Sequence, residues 1–231
     1  MRKLYKFAVM EHGKEEFDKN YFGIFHKEYD HFELSFYYKW FKGWINLLDH
    51  YLPLKQGDSK NVLEVGCSIG AFAKIFKERG FKVTAVDISE FIIKKAKKLQ
   101  AGINFQVLDI EKDINLKEKF DYILAFEVLE HLKKPQKALF NMKSVLKTNG
   151  VIVFSTPLPT KQTLADPMHI NVHSTQFWLD LGRKIGFKNV YYKNVAFIPF
   201  LYRFSSIFSI GFQTPINLPF VNNTCLYFLK N

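Results

Sequence analysis

From residue 61 onward, short apolar runs alternate with segments whose apolar residues recur at helical spacing. A short apolar run is typical of a buried strand, and apolar residues at every third or fourth position are typical of an amphipathic helix. This alternation predicts βαβ units, in which helices join parallel strands. The first units combine strands over 62–65 and 82–86 with helices over 71–79 and 90–99.

The same alternation continues to the end of the chain. A proline at the first turn and Asn149-Gly150 after the last turn bound a predicted helix over 135–147. Seven strands with alternating helices predict an α/β fold, a doubly wound, seven-stranded, mainly parallel sheet. The remaining predicted elements are strands over 104–108, 122–126, 151–155, 190–198 and 225–229, and a helix over 174–185.

The two ends of the chain are rich in aromatic residues. Residues 1–56 read as an N-terminal helical cap ending near Pro53, whose aromatic stripe is typical of core; the alternative is a lid over the carboxyl edge of the sheet. The main domain is predicted over 57–231, with an insertion at 199–223 between the last two strands. That Phe-rich insertion has three prolines, which argue against a membrane-spanning helix. It is a candidate substrate-pocket wall, homodimer surface or peripheral membrane contact.

Composition narrows the class of protein. The 231 residues are 48% apolar and 24% charged, which is globular composition. A formal net charge of +11 favours an anionic partner such as nucleic acid or an acidic membrane, although a lysine-rich solvated surface is the simpler interpretation. Two distant cysteines do not form a disulfide pattern, and the chain has neither a signal-like segment nor an apolar run of roughly 20 residues. We therefore expect a cytoplasmic protein.

Candidate chemistry begins at a glycine loop between the first strand and helix. Gly66 and Gly70 would let the backbone turn sharply and approach a ligand, but Ser68 breaks the dinucleotide-binding fingerprint. Acidic residues follow three strands, at Glu64, Asp87 and Asp109. Strand ends of an open α/β sheet share one crevice, and so much negative charge would repel a pyrophosphate. The acidic crevice is better suited to a ligand that carries an ammonium, a sulfonium, a ribose diol and an adenine amine. S-adenosylmethionine has all four groups.

At this point the sequence resembles the class I, Rossmann-like S-adenosylmethionine-dependent methyltransferases, with a type 11/12-like methyltransferase domain. The resemblance covers roughly 60–187 and rests on the order of several segments, namely VLEVGCSIG, VTAVDIS, QVLDIE, FDYILAFEVLEHL and LKTNGVIVFSTP. It implies an enzyme that binds S-adenosylmethionine and releases S-adenosylhomocysteine.

Carried over position by position, the resemblance implies a cofactor site. The glycines would shape the loop around the methionine part, Glu64 would contact that part, and Asp87 would take the ribose hydroxyls. Ile88 would pack on adenine and Asp109 would accept from its amine. Ser68 departs from the family's usual glycine, which implies a shifted pose or weaker affinity. Each acid could instead cap a helix. The implied set is Glu64, Gly66, Cys67, Gly70, Asp87, Ile88, Asp109, Ile110 and Phe126.

The segment after the fourth strand bears on the methyl acceptor. Methylators of nucleobase amines resemble one another in an Asn/Asp-Pro-Pro-aromatic turn there, whereas this chain has Ala125-Phe126-Glu127-Val128. The resemblance therefore favours O-methylation of a small molecule or of a sugar or glycolipid precursor. The alternatives are a metal-assisted RNA 2′-O-methyltransferase, motivated by the net charge and by an E-x-x-E-H motif at 127–131, and a non-catalytic cofactor-binding module that serves a catalytic partner.

Glu127, Glu130 and His131 form an E-x-x-E-H motif, with His169 downstream. This motif is similar to that of metal-dependent methyltransferases of quinone precursors and of small RNAs, but also to many metal-free members of the superfamily. A shared metal site would require a helix that places Glu127 and His131 on one face. We predict no metal and a catalytic role for His131 or His169 as general base.

Overall fold

The computed structural model describes residues 31–197, 205, 209–214 and 222–231. All the predicted strands and all the helices predicted from residue 57 onward are present in it. The elements in chain order are α1 (His31–Leu48), β1 (Asn61–Val65), α2 (Ala71–Glu78), β2 (Lys82–Asp87), α3 (Glu90–Leu99), β3 (Asn104–Val107), β4 (Phe120–Phe126), a 3₁₀ turn (Leu129–His131), α4 (Pro135–Ser144), β5 (Leu146–Pro157), the short α5 (Lys161–Leu164), α6 (Thr175–Ile185), β6 (Asn189–Phe197), β7 (Gly211–Gln213) and β8 (Asn222–Lys230).

One sheet runs through the molecule in the order β3-β2-β1-β4-β5-β8-β6-β7. The strands from β3 to β5 pair in parallel, and β8 pairs antiparallel with both β5 and β6. The strand order changes direction at β1: β2 and β3 lie on one side of β1, and β4 and β5 lie on the other. This arrangement confirms the predicted doubly wound α/β fold and creates a crevice at the carboxyl ends of β1 and β4.

The sheet has one strand more than the seven expected. Strand β7 pairs antiparallel with β6, joining Val195 to Gln213 and Phe197 to Gly211. It is only three residues long, so it lacks the alternation by which a strand is recognised in a sequence. It lies inside the segment predicted as an insertion, most of which falls outside the described residues, as do any membrane or homodimer contacts there.

Helices cover both faces of the sheet. On one face α1, α2 and α3 bury an aromatic and aliphatic core, and on the other α4 and α6 bury a second core. Helix α3 shows how the local sequence determines where a helix begins and which face is buried. The Ser89 hydroxyl accepts a hydrogen bond of 3.4 Å from the backbone N–H of Ile92, and Ile92, Ile93 and Ala96 are buried while Lys94 faces solvent. The cap and the stripe match the sequence prediction.

One predicted boundary was wrong. The helix expected over 135–147 ends at Ser144, and β5 already begins at Leu146, so the Asn149-Gly150 pair lies inside a strand. The reason is tertiary: Leu146 pairs with Phe120 of β4, whose N–H donates to the carbonyl of Val145. Sheet pairing thereby overrides the local helix signal.

Helix α1 packs against the sheet and α2 through its aromatic stripe. Trp44 is buried, and the Phe41 ring stacks on Phe72 with centroids 4.7 Å apart. Gly43 allows a close approach, because a Cβ there would lie 2.4 Å from the Ser209 hydroxyl oxygen. The aromatic segment 21–26, on which the lid hypothesis rests, lies outside the described residues, and the boundary between 1–56 and 57–231 stays a prediction. Among the helices that the structure describes, none is both long and apolar enough to cross a bilayer.

Candidate active site

The turn from β1 into α2 has a left-handed backbone at three alternate residues. They are Gly66 (φ +71°), Ser68 (φ +48°) and Gly70 (φ +76°). Glycine adopts such angles freely, whereas for serine they cost about 1–2 kcal/mol. Space also requires the two glycines: a Cβ at Gly66 would lie 2.4 Å from Cγ2 of Val128, and one at Gly70 2.6 Å from the Phe105 ring. The loop is therefore a tight, strained cradle.

Asp87, at the end of β2, holds this loop in place. Its Oδ2 accepts a hydrogen bond of 3.0 Å from the N–H of Ser68, and its Oδ1 accepts one of 3.0 Å from the N–H of Ser89. The side chain is buried, and burial raises the pKa of Asp87 although these bonds oppose the shift. Ser89, and not Asp87, caps α3. The carboxyl therefore has a second role besides any contact with a ligand.

Glu64 lies at the end of β1, beneath the same loop. It is 6% exposed, and its Oε2 is buried without a hydrogen-bond partner. Burial is the largest cause that raises the pKa of Glu64 well above its ordinary value, and the nearby charge of Asp87 adds to it. The thiol of Cys67 is buried, and burial, together with the charges of Asp87 and Glu64, raises its pKa well above the ordinary value. A cationic ligand group beside Glu64 would supply the missing partner.

The other predicted cofactor residues near β2 and β3 differ in burial and in their surroundings. Asp109 accepts a hydrogen bond of 3.0 Å from the N–H of Glu111 in a turn that no described helix follows, so it is not a helix cap. The N–H of Leu108 donates to the carbonyl of Asp87, which brings the β2 and β3 ends together. Ile88 is half-buried, whereas Ile110 is buried in the core against α4.

A cavity of about 600 Å³ opens at the ends of β4 and β5, beneath α1. Six of its thirteen described lining residues are aromatic, and Glu127 carries the one carboxyl among those described residues. Phe126 therefore belongs to this cavity, where it packs edge-on against Trp44 with ring centroids 4.9 Å apart. The cavity adjoins the glycine loop because Val128, one residue beyond Glu127, contacts Gly66. The lining residues are Tyr37, Trp40, Phe41, Trp44, Phe126, Glu127, Pro157, Leu158, Thr160, Gln162, Thr163, Phe197 and Thr224.

Glu127 is the first residue after β4 and has a left-handed backbone, with φ +54°. Ser155 of β5 fixes it from both ends: its Oγ accepts a hydrogen bond of 3.1 Å from the Glu127 N–H and donates one of 2.6 Å to Oε1 of the Glu127 carboxyl. The side chain is exposed to the cavity, but the surrounding walls desolvate it and raise the pKa of Glu127. Sequence reasoning did not place this residue among the catalytic candidates.

Behind Glu127 lie Glu130, His131 and His169. Glu130 is fully buried with no hydrogen-bond partner on either carboxyl oxygen, and burial and the charge of Glu127 raise its pKa well above the ordinary value. The Nδ1 atoms of the two histidines lie 2.9 Å from the Met168 carbonyl and 3.2 Å from the Thr163 carbonyl. Burial lowers the pKa of His131. The predicted catalytic histidines are thus brought together, with ring centroids 5.0 Å apart, but neither lines the cavity.

Glu130, His131 and His169 each offer one ligand atom within 4.8 Å of the others, a spacing at which three side chains can surround a metal ion. The helix that would have aligned Glu127 with them is replaced by a single 3₁₀ turn, Leu129–His131. Glu127 instead lines the cavity. The absence of a metal stays a prediction.

The sequence was compared with known protein families. Residues 37–192, more than half of the chain, match the family described as a methyltransferase domain. The chain belongs to this family. The sequence-based assignment to the class I S-adenosylmethionine-dependent methyltransferases is thereby confirmed.

The methyltransferase is also similar to curated proteins over part of its length. It is 39% identical over 101 residues to the ubiquinone biosynthesis O-methyltransferase of Coxiella burnetii (strain Dugway 5J108-111), covering 42% of this chain and 43% of the relative. It is 35% identical over 103 residues to the mitochondrial ubiquinone biosynthesis O-methyltransferase of Schizosaccharomyces pombe, covering 42% and 38%. The match spans less than half the length of these relatives.

Solved structures share the fold of the methyltransferase. A Thermotoga maritima protein described as an S-adenosylmethionine-dependent methyltransferase, possible histamine N-methyltransferase, has a TM-score of 0.64 at 20% identity, covering 92% of this chain and 99% of that one. The plantazolicin methyltransferase BpumL, in complex with S-adenosylhomocysteine, has a TM-score of 0.59 at 19% identity, covering 88% and 87%. These likenesses concern the fold.

The residues of the methyltransferase fit its family's cofactor, S-adenosylmethionine. The unpartnered Oε2 of Glu64 is a buried acceptor for an ammonium group, and the cradle of the glycine loop has no room for a Cβ at Gly66 or Gly70. Asp87 presents its carboxyl at the next strand end. We therefore keep Glu64, the loop and Asp87 as the proposed cofactor site, with Cys67 and Ile88 beside them.

Proposed function

We propose that this methyltransferase transfers a methyl group from S-adenosylmethionine to a hydroxyl oxygen of a small acceptor built on an aromatic or a sugar ring. The aromatic cavity next to the glycine loop is the observation that carries the proposal. Its volume of about 600 Å³ suits a small molecule. The relatives named O-methyltransferases and the Phe126-Glu127-Val128 sequence after β4 support oxygen as the accepting atom. Aromatic alcohols and sugars both present a ring face that can pack on these aromatic walls.

The chain's own residues would orient the reactants and exclude water. When bound, S-adenosylmethionine supplies a methyl group already activated by its sulfonium. Asp87 and Glu64 would hold the ribose and the ammonium, while Trp40 and Phe126 would wall off the reacting atoms. Alignment of this kind removes much of the entropic barrier of a two-reactant displacement. The polar side chains at the cavity mouth, such as Gln162, would contact the outer part of the acceptor.

A screen with methyl-labelled S-adenosylmethionine tests this function. We expect label in the methyl ether of simple phenols, catechols or glycosides, and no label in amines of similar shape. Transfer to amines alone, or to none of these acceptors at saturating cofactor, would refute the proposal. Transfer to RNA 2′-hydroxyls in the same screen would favour the RNA alternative instead.

A matched pair of variants tests whether the cavity holds the acceptor. Gln162 is exposed and lines the cavity, whereas its neighbour Lys161 is exposed and does not. Gln162→Trp should fill the cavity mouth and raise the KM for the acceptor at least about tenfold, the effect of about 1.4 kcal/mol of lost binding. Lys161→Trp should leave the KM within twofold. Affinity for S-adenosylhomocysteine should be unchanged in both variants, and equal KM values would place the acceptor elsewhere.

A further inference from the structure

We propose that Glu127 is the catalytic base that takes the proton of the acceptor hydroxyl, in place of the two histidines. This inference rests on the proposed O-methylation and deepens it. It assigns a chemical role to a residue that carries the one carboxyl among the described residues of the aromatic cavity wall.

Access separates the candidates. The Glu127 side chain is exposed to the cavity, so an acceptor seated there can reach its carboxyl. The rings of His131 and His169 do not contribute to the cavity wall, and their Nδ1 atoms face the carbonyls of Met168 and Thr163. A base must come within hydrogen-bond reach of the proton that it removes. Among the described titratable groups, Glu127 meets this condition and the histidines do not.

The backbone of Glu127 indicates that the residue is held for a purpose. A left-handed φ of +54° is unfavourable for a residue other than glycine, and such strain persists where the surroundings impose it. Ser155 supplies that constraint with a hydrogen bond to the N–H and another to Oε1. The Thr224 hydroxyl lies 3.4 Å from Oε1, but its closer acceptor is the Thr156 carbonyl at 2.9 Å. The short hydrogen bond from Ser155 therefore fixes the orientation of the Glu127 carboxyl.

In the proposed methyl transfer, the acceptor oxygen forms a bond to the methyl carbon while the carbon–sulfur bond breaks. The electron pair of the broken bond stays on sulfur. The hydroxyl proton moves to the Glu127 carboxylate. The products are the methyl ether, the neutral thioether S-adenosylhomocysteine and a protonated Glu127, which returns its proton to solvent when the product leaves.

The surroundings of Glu127 make it a stronger base than an ordinary carboxylate. Desolvation raises its pKa, although the Ser155 bond opposes the shift. A carboxylate whose pKa approaches the working pH is a more effective proton acceptor. Within the part of the chain that the structure describes, the titratable groups that face it are Glu130 and His169 from behind and Tyr37 across the cavity.

The test compares Glu127→Gln and Glu127→Asn with Glu118→Gln. Asparagine tolerates the left-handed backbone, so it guards against misfolding, and Glu118 is an exposed control that precedes β4, whereas Glu127 follows that strand. Both Glu127 variants should lower kcat for an alkyl alcohol acceptor about 10²–10⁴-fold, the usual contribution of a general base. The control should not change it. Calorimetric affinity for S-adenosylhomocysteine should stay within about threefold of wild type in all three variants, which reports an intact cofactor site independently of turnover.

A series of acceptors of increasing acidity separates a catalytic from a structural role. A base matters less when the hydroxyl ionises by itself, so the loss in the Glu127 variants should shrink towards zero for acidic nitrophenols. Glu127→Asp should recover part of the activity. A loss that is equal for all acceptors, or below threefold for alkyl alcohols, would overturn the inference, as would equal losses in His131→Gln or His169→Gln with unchanged acceptor KM. If the wild-type protein methylates no hydroxyl at all, the proposed function fails first, and the inference fails with it.

Discussion

Replacement of Ser68 by glycine should stabilise the protein, although it removes a side chain. Ser68 has φ +48°, which costs an L-residue about 1–2 kcal/mol relative to glycine. Glycine also lowers the free energy of unfolding by about 0.5–1 kcal/mol, because it gives the unfolded chain more conformational entropy. We therefore expect a net gain of about 0.5–1 kcal/mol in the free energy of unfolding. For a chain of this length such a gain corresponds to about 1–4 °C in Tm.

Ser68→Ala is the matched control, because alanine also removes the hydroxyl but keeps the Cβ. The left-handed strain remains in that variant, so no stabilisation is expected. Thermal unfolding without ligand measures both variants under one condition. A gain in Ser68→Ala equal to that in Ser68→Gly would refute the strain argument, since the hydroxyl and not the backbone would then be responsible.

The same pair of variants tests the departure of Ser68 from the family's glycine. The N–H of residue 68 donates to Asp87 in any variant, so the cradle should keep its shape. Affinity for S-adenosylhomocysteine in Ser68→Gly should equal or exceed that of wild type. Weaker binding in Ser68→Gly, measured by calorimetry, would show that the hydroxyl contacts the ligand and that our interpretation is wrong.

Three further perturbations have expected outcomes. Each carboxyl oxygen of Asp87 accepts one backbone N–H, and Asp87→Asn replaces one of these oxygens by an NH₂ donor. The variant should therefore lose about 1.5–3 kcal/mol of stability and bind S-adenosylhomocysteine more weakly. Calorimetry measures both effects, and unchanged affinity would contradict the pocket assignment. The pKa of Glu130 is raised on folding, so its contribution is present below about pH 4.5 and is lost as the pH rises. Glu130→Gln should therefore gain stability over wild type by up to about 1.4 kcal/mol per pH unit above that value, and parallel pH–stability curves would refute this. Full activity after exhaustive chelation is expected, whereas loss restored by Mn²⁺ or Zn²⁺ would establish a metal.

The sequence was sufficient for features that depend on local pattern. The strands before Glu64 and Asp87 are short apolar runs, and parallel topology alone brings their ends together. Ser89 was recognised as a helix cap because serine before an apolar stripe is a local signal. The glycines of the loop predicted a close backbone approach, and the structure has no room for a Cβ at either Gly66 or Gly70. Each of these inferences needed no knowledge of distant residues.

The role of Glu127 could not be predicted in the same way. Its left-handed backbone and its exposure to the cavity depend on Ser155, 28 residues later, and on helix α1, about 90 residues earlier. The pattern suggested that Glu127 and His131 lie on one helical face, but the chain makes only a 3₁₀ turn there. The one available signal was position: Glu127 immediately follows a buried strand, as Asp87 ends another.

The two strained non-glycine residues of the site, Ser68 and Glu127, follow neighbouring strands. Strands β1 and β4 pair in parallel, so the loops that follow them meet at one edge, and Val128 packs directly on Gly66. Residues forced into a left-handed backbone persist only where the surrounding structure determines them, and here the sheet between two buried cores does so. The loop beside the proposed cofactor site and the loop carrying the proposed base therefore share one rigid contact. A shift in either loop must move the other, and this coupling would keep a bound methyl donor aligned with a hydroxyl acceptor held beside the proposed base.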